Sequence, residues 1–541
     1  MPAPGQVHSV ALSWTKTGKH RENDLFVQCT SAQKPATVAG QMAFCPEQNV
    51  LGYWIPKYSS EKSFLEQQLM AHGRWFSAGE GSALQVEKEY LSCTASSGTS
   101  APYRQEMTEK VAFVPSGKAR MRIAVIGSGI AGLSAAWLLK PEHDVSLFEA
   151  AGYAGGHSNT IDVRLDGVCH PVDTGFLVHN DRTYPNLIRL LPLLGVETPA
   201  SEMSFSVKLP GEDLEWAGSS LATLFVQKRN LARLGFWRML RDILSFNRCS
   251  YEFLDLARAS GETLGQLLDR EGYSREFADW YLLPMGAAIW SCPTRSMRDF
   301  PAETFLQFCI NHGLLQVFDR PQWKTVRGGS REYVRAMCQA IGDVRLNTPV
   351  LSVSREPGGV RVSTAHGSEL FDQVVLATHT DQSLAILKDA TAEERHVLGS
   401  IVYQPNTAWL HTDASLMPER RSAWSAWNYY SGKAVQADKP VAVTYWLNRL
   451  QPLPFTSDVF VTLNPPEPPA ERHVLRELHY AHPLLDKKAY DAQLQLGHIQ
   501  GKDRVYFCGA WAGYGFHEDG LKAGMRVAQL LGAKIPWEAQ L

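Results

Sequence analysis

The sequence predicts an α/β fold in which a Rossmann-like dinucleotide-binding domain is interleaved with an α+β substrate domain. Three observations predict it. An apolar run, Arg122–Ile126, leads into the turn Gly-Ser-Gly-Ile-Ala-Gly at 127–132, and a helical pattern follows. A second apolar run, 145–148, ends in the acid Glu149. Strand-like runs return at 372–378 and 504–507, so one sheet is expected to draw on distant segments.

The glycine-rich turn has a separate physical role for each residue. Gly127 allows the tight turn out of the strand, Gly129 lets the backbone approach a pyrophosphate, and Gly132 lets the helix pack against the sheet. The first helical amides are expected to present free N–H groups to the phosphates, and they belong to Ser128, Ile130 and Ala131.

An acid closes this β–α–β unit. Glu149 follows Gly127 by 22 residues, which is close to the spacing of the carboxylate that binds ribose hydroxyls. Ala150 lies beside it and is expected at the same end of the cofactor.

A second glycine cluster follows the acid, at Gly152, Gly155 and Gly156. A backbone that passes under a phosphate cannot carry Cβ atoms, so Gly156 and the next residue, His157, are predicted to contact the cofactor. A flexible surface loop is the alternative.

A strand near the C-terminus, 504–509, opens into a loop rich in glycine and aromatic residues. Gly509 is expected at the cofactor. Asp519 suits an N-cap, and a helix beginning at Gly520 or Leu521 would direct its positive end at the reactive group of a bound cofactor. His517 is the catalytic candidate because its loop should reach that group. The alternative is an ordinary capped helix.

Composition and charge exclude several classes of protein. The chain has 541 residues, 44% hydrophobic and 20% charged, with a net charge of −2, which argues against nucleic acid as a partner. Nine scattered cysteines form no C-x-x-C pair and no metal-ligand spacing, so we predict reduced thiols and no metal. With neither a membrane-spanning run nor a signal peptide at Met1, the sequence predicts a cytoplasmic location.

The chain divides at about residue 120. Residues 1–120 show no sustained period, and we expect a disordered or non-native extension with Met121 as the natural start. A small N-terminal module is the alternative. The cofactor domain is predicted at 121–200, 325–400 and 500–541, and the substrate domain at 201–324 and 401–499.

Within these segments, residues 185–320 are predicted to be mainly helical and 400–465 to form strands. Runs 345–353 and 360–363 predict a hairpin with a Pro-Gly-Gly turn. A basic amphipathic stretch at 228–244 predicts either contact with an anionic membrane, peripheral to its inner face, or a solvated face of a core helix.

These motifs resemble the flavin-containing amine oxidoreductase superfamily, which includes monoamine oxidases, protoporphyrinogen oxidase and phytoene desaturases. Three matches carry the resemblance: the 127–132 turn with Glu149, the glycine pair at 155–156, and the segment 509–520. Residues 172–176 are similar to the strand that passes the flavin, which implies contacts from Gly175 and Phe176. Val350 resembles the residue whose backbone meets the adenine. More closely, residues 121–541 resemble a bacterial subgroup described as predicted FAD-dependent oxidoreductases.

The resemblance implies FAD as the cofactor. Genes of the subgroup often neighbour cyclopropane-fatty-acid-synthase-like methyltransferases, which implies a lipid acyl chain as substrate. Hydride transfer between an apolar substrate and flavin N5 is therefore the expected reaction, with Tyr445, Trp446 and Trp511 in the pocket. A flavin amine oxidase and a non-enzymatic flavoprotein are the alternatives. Two departures bear on them: His157 replaces the usual arginine, and the lysine that many amine oxidases place near N5 has no evident counterpart.

Overall fold

A computed structural model describes residues 119–539, except 317–319 and 433–440, together with the backbone of four strands nearer the N-terminus. The chain forms two compact units, Met1–Lys110 and Val111–Leu541. In the first unit the four strands form an antiparallel sheet of order β1-β2-β4-β3, and they are β1 Val10–Ser13, β2 Asp24–Cys29, β3 Gln41–Cys45 and β4 Val50–Pro56. The sequence analysis assigned no strand here. The expectation of disorder concerns residues that lie largely outside those described, and it stays a prediction.

The strands of the second unit are β5 Arg122–Ile126, β6 Asp144–Phe148, β7 Thr160–Leu165, β8 Val168–Asp173, β9 His179–Asn180, β10 Phe205–Leu209, β11 Leu214–Ala217, β12 Trp323–Lys324, β13 Val344–Arg345, β14 Val350–Glu356, β15 Gly359–Thr364, β16 Gly367–Phe371, β17 Gln373–Leu376, β18 Val402–His411, β19 Trp427–Tyr430, β20 Ala442–Trp446, β21 Phe460–Leu463, β22 Val474–Leu484 and β23 Val505–Phe507.

Its α-helices are α1 Ile130–Leu139, α2 Leu187–Leu193, α3 Leu221–Leu224, α4 Leu234–Ser260, α5 Leu264–Arg270, α6 Arg275–Phe277, α7 Leu283–Trp290, α8 Thr294–Arg298, α9 Ala302–Asn311, α10 Arg331–Ile341, α11 Thr380–Ile386, α12 Ala392–Gly399, α13 Leu447–Leu450, α14 Lys487–Gln495 and α15 His517–Leu530. A π-helical segment, Ala278–Leu282, joins α6 to α7.

The cofactor side is built on a parallel sheet of order β13-β6-β5-β17-β23. Helix α1 connects β5 to β6, so the predicted β–α–β unit and the α/β class are confirmed. Helix α15 packs closely on α1, because a Cβ on Gly524 would lie 2.1 Å from the Ser134 hydroxyl oxygen. The first turns of α15 thereby lie beside the start of α1, where a Cβ on Gly520 would be 2.7 Å from the Ile130 Cγ2. The predicted domain limits stay a prediction.

The opposite side is built on a seven-stranded sheet of order β11-β10-β19-β20-β21-β18-β22. Only the β10–β19 pair is parallel. Two strands, β10 and β11, interrupt the region predicted to be mainly helical. They pair with each other, and β10 also pairs with β19, which lies more than 200 residues away in sequence and leaves no local signal. The predicted hairpin is present as β14 and β15, with Glu356 opposite Gly359.

Among the described residues, no helix combines the length and apolar character needed to cross a bilayer.

Candidate active site

A cavity of about 1140 Å³ lies between the two sheets. At one end it is lined by the glycine-rich turn after β5 and the loop after β6, and at the other by aromatic residues of the seven-stranded sheet and helices α7 and α9. Most of the residues predicted to bind the cofactor line it, and they are Gly127, Ser128, Gly129, Ile130, Ala131, Glu149, Ala150, Gly156, His157, Gly175, Phe176, Val350 and Gly509.

The glycine-rich turn has the geometry that a pyrophosphate requires. Gly127 has φ +103°, and a Cβ there would lie 2.6 Å from the Ala377 carbonyl oxygen. A Cβ on Gly132, the third residue of α1, would lie 1.8 Å from the Gly127 oxygen, so only glycine fits at this position. A Cβ on Gly129 would meet no protein atom within 4 Å, because this residue borders the open cavity. The space kept free beside Gly129 fits a group that approaches the backbone closely.

The N-terminus of α1 is open toward this space. Gly129 is its N-cap and no side chain caps the helix, so the first amides lack intrahelical acceptors. Ile130 and Ala131 line the cavity, as predicted for residues that offer N–H groups to phosphates.

Glu149 changes the expectation for one of these amides. Its Oε2 accepts the Ser128 backbone N–H at 2.9 Å and the Ser128 hydroxyl at 2.6 Å, and its Oε1 accepts the Ala151 N–H at 2.8 Å. The prediction that the Ser128 amide is free for a phosphate is therefore wrong. The cause is the parallel pairing of β5 with β6, which places the end of β6 directly beside the turn. Oε1 retains a second lone pair for a ribose hydroxyl, whereas Oε2 already accepts two hydrogen bonds.

Val350 lies at the same end of the cavity as Glu149. The Thr348 N–H donates to the Glu149 carbonyl oxygen at 2.8 Å, and Thr348, Pro349 and Val350 all line the cavity. The position fits the adenine contact that the resemblance implies.

His157 follows the glycine pair in a cluster of rings. Its imidazole stacks on Tyr480 with centroids 4.9 Å apart and lies 5.2 Å from the ring of His482. Burial, reinforced by His482, His379 and His517, holds the pKa of His157 well below its usual value. A neutral imidazole can donate one hydrogen bond but supplies no positive charge. The arginine that His157 replaces would supply a positive charge to a phosphate.

His517 is fixed by its neighbours. Its ring stacks on Phe176 at 3.9 Å between centroids with an interplanar angle of 11°. Its Nε2 shares a hydrogen bond of 2.7 Å with the Tyr333 hydroxyl, which in turn bonds the Ser158 hydroxyl. Burial lowers the pKa of His517 to about 3, so the ring is neutral near neutral pH. His517 lines the cavity, and its catalytic role stays a prediction, for which the contacts indicate positioning of Phe176 rather than proton transfer.

The predicted start of the last helix is wrong. Helix α15 begins at His517, and Asp519 is not its N-cap but lies in its first turn, where Oδ2 accepts the N–H of the N-cap Phe516 at 2.9 Å. Leu521 is fully buried in the hydrophobic core. Neither residue, nor Gly132, is among the residues that line the cavity. The helix begins three or four residues before the predicted start because Asp519, from inside the first turn, accepts the N–H of the N-cap Phe516.

Glu518 has a role that sequence reasoning missed. Its buried carboxylate accepts the backbone N–H groups of Asn186 and Leu187 at 2.9 and 3.1 Å, and so caps helix α2. Burial raises the pKa of Glu518 to about 7.

The Gly328-Gly329-Ser330 turn is structural. Asp173, fully buried, accepts the Ser330 N–H at 2.9 Å and the Ser330 hydroxyl at 2.8 Å. A Cβ on Gly329 would lie 2.4 Å from the Thr160 methyl carbon. The turn therefore locks α10 against β8 beside the cofactor end of the cavity.

The substrate end is aromatic. Tyr445 and Trp511 line it as predicted, but Trp446 does not. Trp446 follows Tyr445 on a strand and so projects from the other face, where it packs on Phe460 and its Nε1 donates to Asp458 at 3.0 Å. Further aromatic residues line this end and form, with Tyr445 and Trp511, an aromatic wall that was mostly not predicted. They are Phe205, Trp216, Tyr281, Trp290, Phe308, His312 and Trp427. Alternation along β19 and β20 was the only available signal.

The comparisons with known proteins agree with this geometry. A family model described as flavin containing amine oxidoreductase matches residues 130–531, which is most of the chain. The chain belongs to this family. It is accordingly a flavin-dependent oxidoreductase that binds FAD, and the open space beside Gly129 is where the glycine-rich turn would receive the pyrophosphate.

Solved structures share the fold at low sequence identity. Cyclohexylamine oxidase from Brevibacterium oxydans IH-35A is 16% identical with a TM-score of 0.58, and the match covers 76% of this chain and 99% of that one. Putrescine oxidase bound to putrescine is 18% identical with a TM-score of 0.55, covering 76% and 99%. A CLA-producing fatty acid isomerase from P. acnes is 15% identical with a TM-score of 0.53, covering 76% and 98%. No match was found among curated proteins.

Proposed function

We propose that the protein transfers a hydride between a carbon of an apolar substrate, a lipid acyl chain, and the flavin N5 of its bound FAD. One observation carries the proposal: the substrate end of the cavity is built of aromatic and aliphatic side chains. Of the described residues that line the whole cavity, only two are carboxylates and none is lysine. Such a wall binds a hydrocarbon chain by removing apolar surface from water.

Neither carboxylate is free to receive a substrate ammonium group. Glu149 is bonded by Ser128 and Ala151 at the cofactor end. Glu202 accepts the Ser204 hydroxyl at 2.8 Å and pairs with Arg449 at 2.9 Å. The lining therefore favours an acyl chain over a charged amine. The fatty acid isomerase among the solved structures supports the same substrate class, because it places this fold around a fatty acid enzyme.

The residues of this chain bind and orient the substrate. The wall from Phe205 to Tyr445 excludes water, and Trp511, whose Nε1 donates to the Thr378 carbonyl oxygen at 3.2 Å, fixes the C-terminal loop at the junction of the two ends. A hydride that leaves one carbon of the chain would be matched by a proton lost from the adjacent carbon, with solvent as the final proton acceptor, and in the reverse direction that proton would be returned. The hydride itself requires no ionised side chain at the reacting carbon. This is compatible with neutral His517.

The experiment is anaerobic mixing of the FAD-loaded protein with defined probes. Oxidised protein is mixed with methyl stearate and photoreduced protein with methyl oleate, each dispersed in detergent, and both forms with cyclohexylamine. We expect a change of flavin absorbance with an acyl ester and none with the amine. Reduction by the amine alone would refute the proposal and assign an amine oxidase.

A matched pair of variants ties the result to the cavity. Tyr445→Ala should raise the KM for the reactive ester about tenfold by removing an aromatic contact. Tyr430→Ala, on the neighbouring strand but outside the cavity lining, should leave it unchanged. In cells, deletion of the gene should change the acyl composition of membrane lipids, and an unchanged composition would contradict the proposal.

A further inference from the structure

Helix α4 carries an exposed apolar stripe along 18 residues of its length. Leu234, Trp237, Leu244 and Tyr251 are 78%, 47%, 63% and 62% exposed. Their spacings of three, seven and seven residues place them on one side of the helix, and Arg241 and Arg248 occupy the exposed positions between them. At 1.5 Å per residue the stripe is about 26 Å long.

The stripe is not required by the core. The opposite face of α4 supplies the buried residues Phe236, Met239, Phe246 and Phe253. A surface helix of a globular protein usually buries one apolar face in the core and exposes a polar face to solvent. A row of exposed leucine, tryptophan and tyrosine on one side of the helix therefore indicates an interaction surface.

Two further leucines extend the row beyond the helix. Leu221 and Leu231 are 77% and 53% exposed. Trp237 joins them, because its Nε1 donates to the Leu231 carbonyl oxygen at 2.9 Å and its ring lies 5.4 Å from that of Phe225 in the same segment. We call Leu221, Leu231, Leu234, Trp237, Leu244 and Tyr251 the docking surface.

The docking surface adjoins the opening of the cavity. Gly218 and Ser219 line the cavity and are exposed, so they lie at its mouth. Leu221 begins helix α3 two residues later, and the Thr223 hydroxyl ties that helix back to the Ala217 carbonyl oxygen at 3.1 Å. An apolar molecule taken up at the docking surface would reach the cavity with little passage through water.

Two unpaired cations beside the docking surface favour an anionic partner. Residues 218–248 contain six basic residues and one acid, Asp242. Acids on packed neighbours balance part of this charge: Asp213 pairs with Arg229, and Glu276 pairs with Arg238 at 3.1 Å. The other acids nearby are Glu212, Glu252, Asp255 and Asp279. Arg241 pairs with Asp242 at 2.8 Å. Within the described part of the chain, Lys228 and Arg248 have no ion-pair partner.

We propose that the docking surface inserts into the headgroup region of a phospholipid bilayer containing anionic lipid, with the cavity mouth facing the membrane. Leucine, tryptophan and tyrosine are the side chains that partition to this depth, and the interleaved cations lie at the level of the headgroups. This inference goes beyond the proposed function, since it holds for any apolar substrate drawn from a membrane.

The test is flotation of the FAD-loaded full chain with vesicles of phosphatidylethanolamine and phosphatidylglycerol. The wild type should float with the vesicles. The triple variant L234S/W237S/L244S should lower the bound-to-free ratio at least about tenfold, because three inserting side chains are lost. The double variant L494S/L530S removes leucines that are 68% and 61% exposed on other helices, and it should bind as the wild type does. Flavin absorbance and circular dichroism establish that every variant is folded.

Three outcomes would overturn the inference: a wild type that stays with the soluble fraction, a triple variant that floats as well as the wild type, or an equal loss of vesicle binding in the triple and the double variant.

Sedimentation of the same samples without vesicles tests whether a second copy of the chain covers the docking surface instead. A wild-type dimer that the triple variant converts to monomer, with vesicle binding unchanged, would assign the surface to a second copy of the chain. Flotation measures vesicle binding and does not depend on turnover. A protein that does not float can therefore still carry out the proposed reaction, and the two negative results are distinguishable.

Discussion

Alanine at Gly129 should separate cofactor binding from folding. Gly129 has φ −63° and ψ 173°, an extended conformation that alanine adopts, and its Cβ would meet no protein atom within 4 Å. The free energy of unfolding of the apoprotein should therefore change by no more than about 0.5 kcal/mol.

FAD binding should respond differently. The methyl group of G129A would occupy the space where the backbone at the start of α1 approaches the pyrophosphate. Loss of one hydrogen bond to a charged group costs about 2 kcal/mol, which corresponds to a roughly 30-fold increase in the Kd for FAD.

Gly132→Ala is the matched comparison, and its effect should be the reverse. An alanine inside a helix would ordinarily stabilise it by about 1 kcal/mol. Here the Cβ would lie 1.8 Å from the Gly127 oxygen and 3.1 Å from the Ala377 Cβ, so α1 must move away from the sheet. We expect the free energy of unfolding to fall by about 2 kcal/mol or more even without cofactor.

The assay combines urea unfolding of the apoproteins with titration of FAD followed by flavin fluorescence. The reasoning would be refuted by a wild-type Kd for FAD in G129A, or by unchanged stability of the apoprotein in G132A. Loss of apoprotein stability in G129A would also contradict it, because the structure shows no atom there for the methyl group to displace.

Three other predictions concern stability. Trp446→Ala should lower the free energy of unfolding by about 3 kcal/mol while leaving the KM for the reactive ester unchanged, since the indole packs outside the cavity; urea unfolding and steady-state kinetics check both. Asp173→Ala should cost about 3 kcal/mol in the same unfolding assay, because the Ser330 donors would remain buried without an acceptor. Burial lowers the pKa of His411 to about 4, below the unfolded value of 6.5, so its contribution to stability is present above pH 6.5 and is lost as the pH falls toward 4. His411→Gln should therefore reduce the loss of stability between pH 6.5 and 4 by roughly 3 kcal/mol relative to wild type, and an unchanged pH dependence would contradict the assignment.

The cofactor end of the site could be predicted from the sequence because its signals are local. The spacing of Gly127, Gly129 and Gly132 with Glu149 encodes a β–α–β unit within a single short segment. Whether an amide there is free could not be predicted. The Ser128 amide is taken by Glu149, and this depends on how the ends of two strands meet in the sheet.

The C-terminal loop shows the same division. Its glycines and aromatics indicated a cofactor contact, and Gly509 and His517 do line the cavity. The start of α15 was placed too late because Asp519 has the preference of an N-cap. Only the hydrogen bond that it accepts from the Phe516 amide shows that it lies inside the first turn.

By itself, the sequence determined the α/β class, the dinucleotide-binding motif and the family, since each is carried by short motifs that can be recognised one by one. The tertiary structure decided the rest. Pairing of β10 with β19 brings Phe205 beside Trp427, and pairing of β19 with β20 adds Tyr445, so the aromatic wall is assembled from segments that share no local pattern. Burial likewise decided that His157 and His517 are neutral, because desolvation is a property of the folded surroundings and not of the residue type.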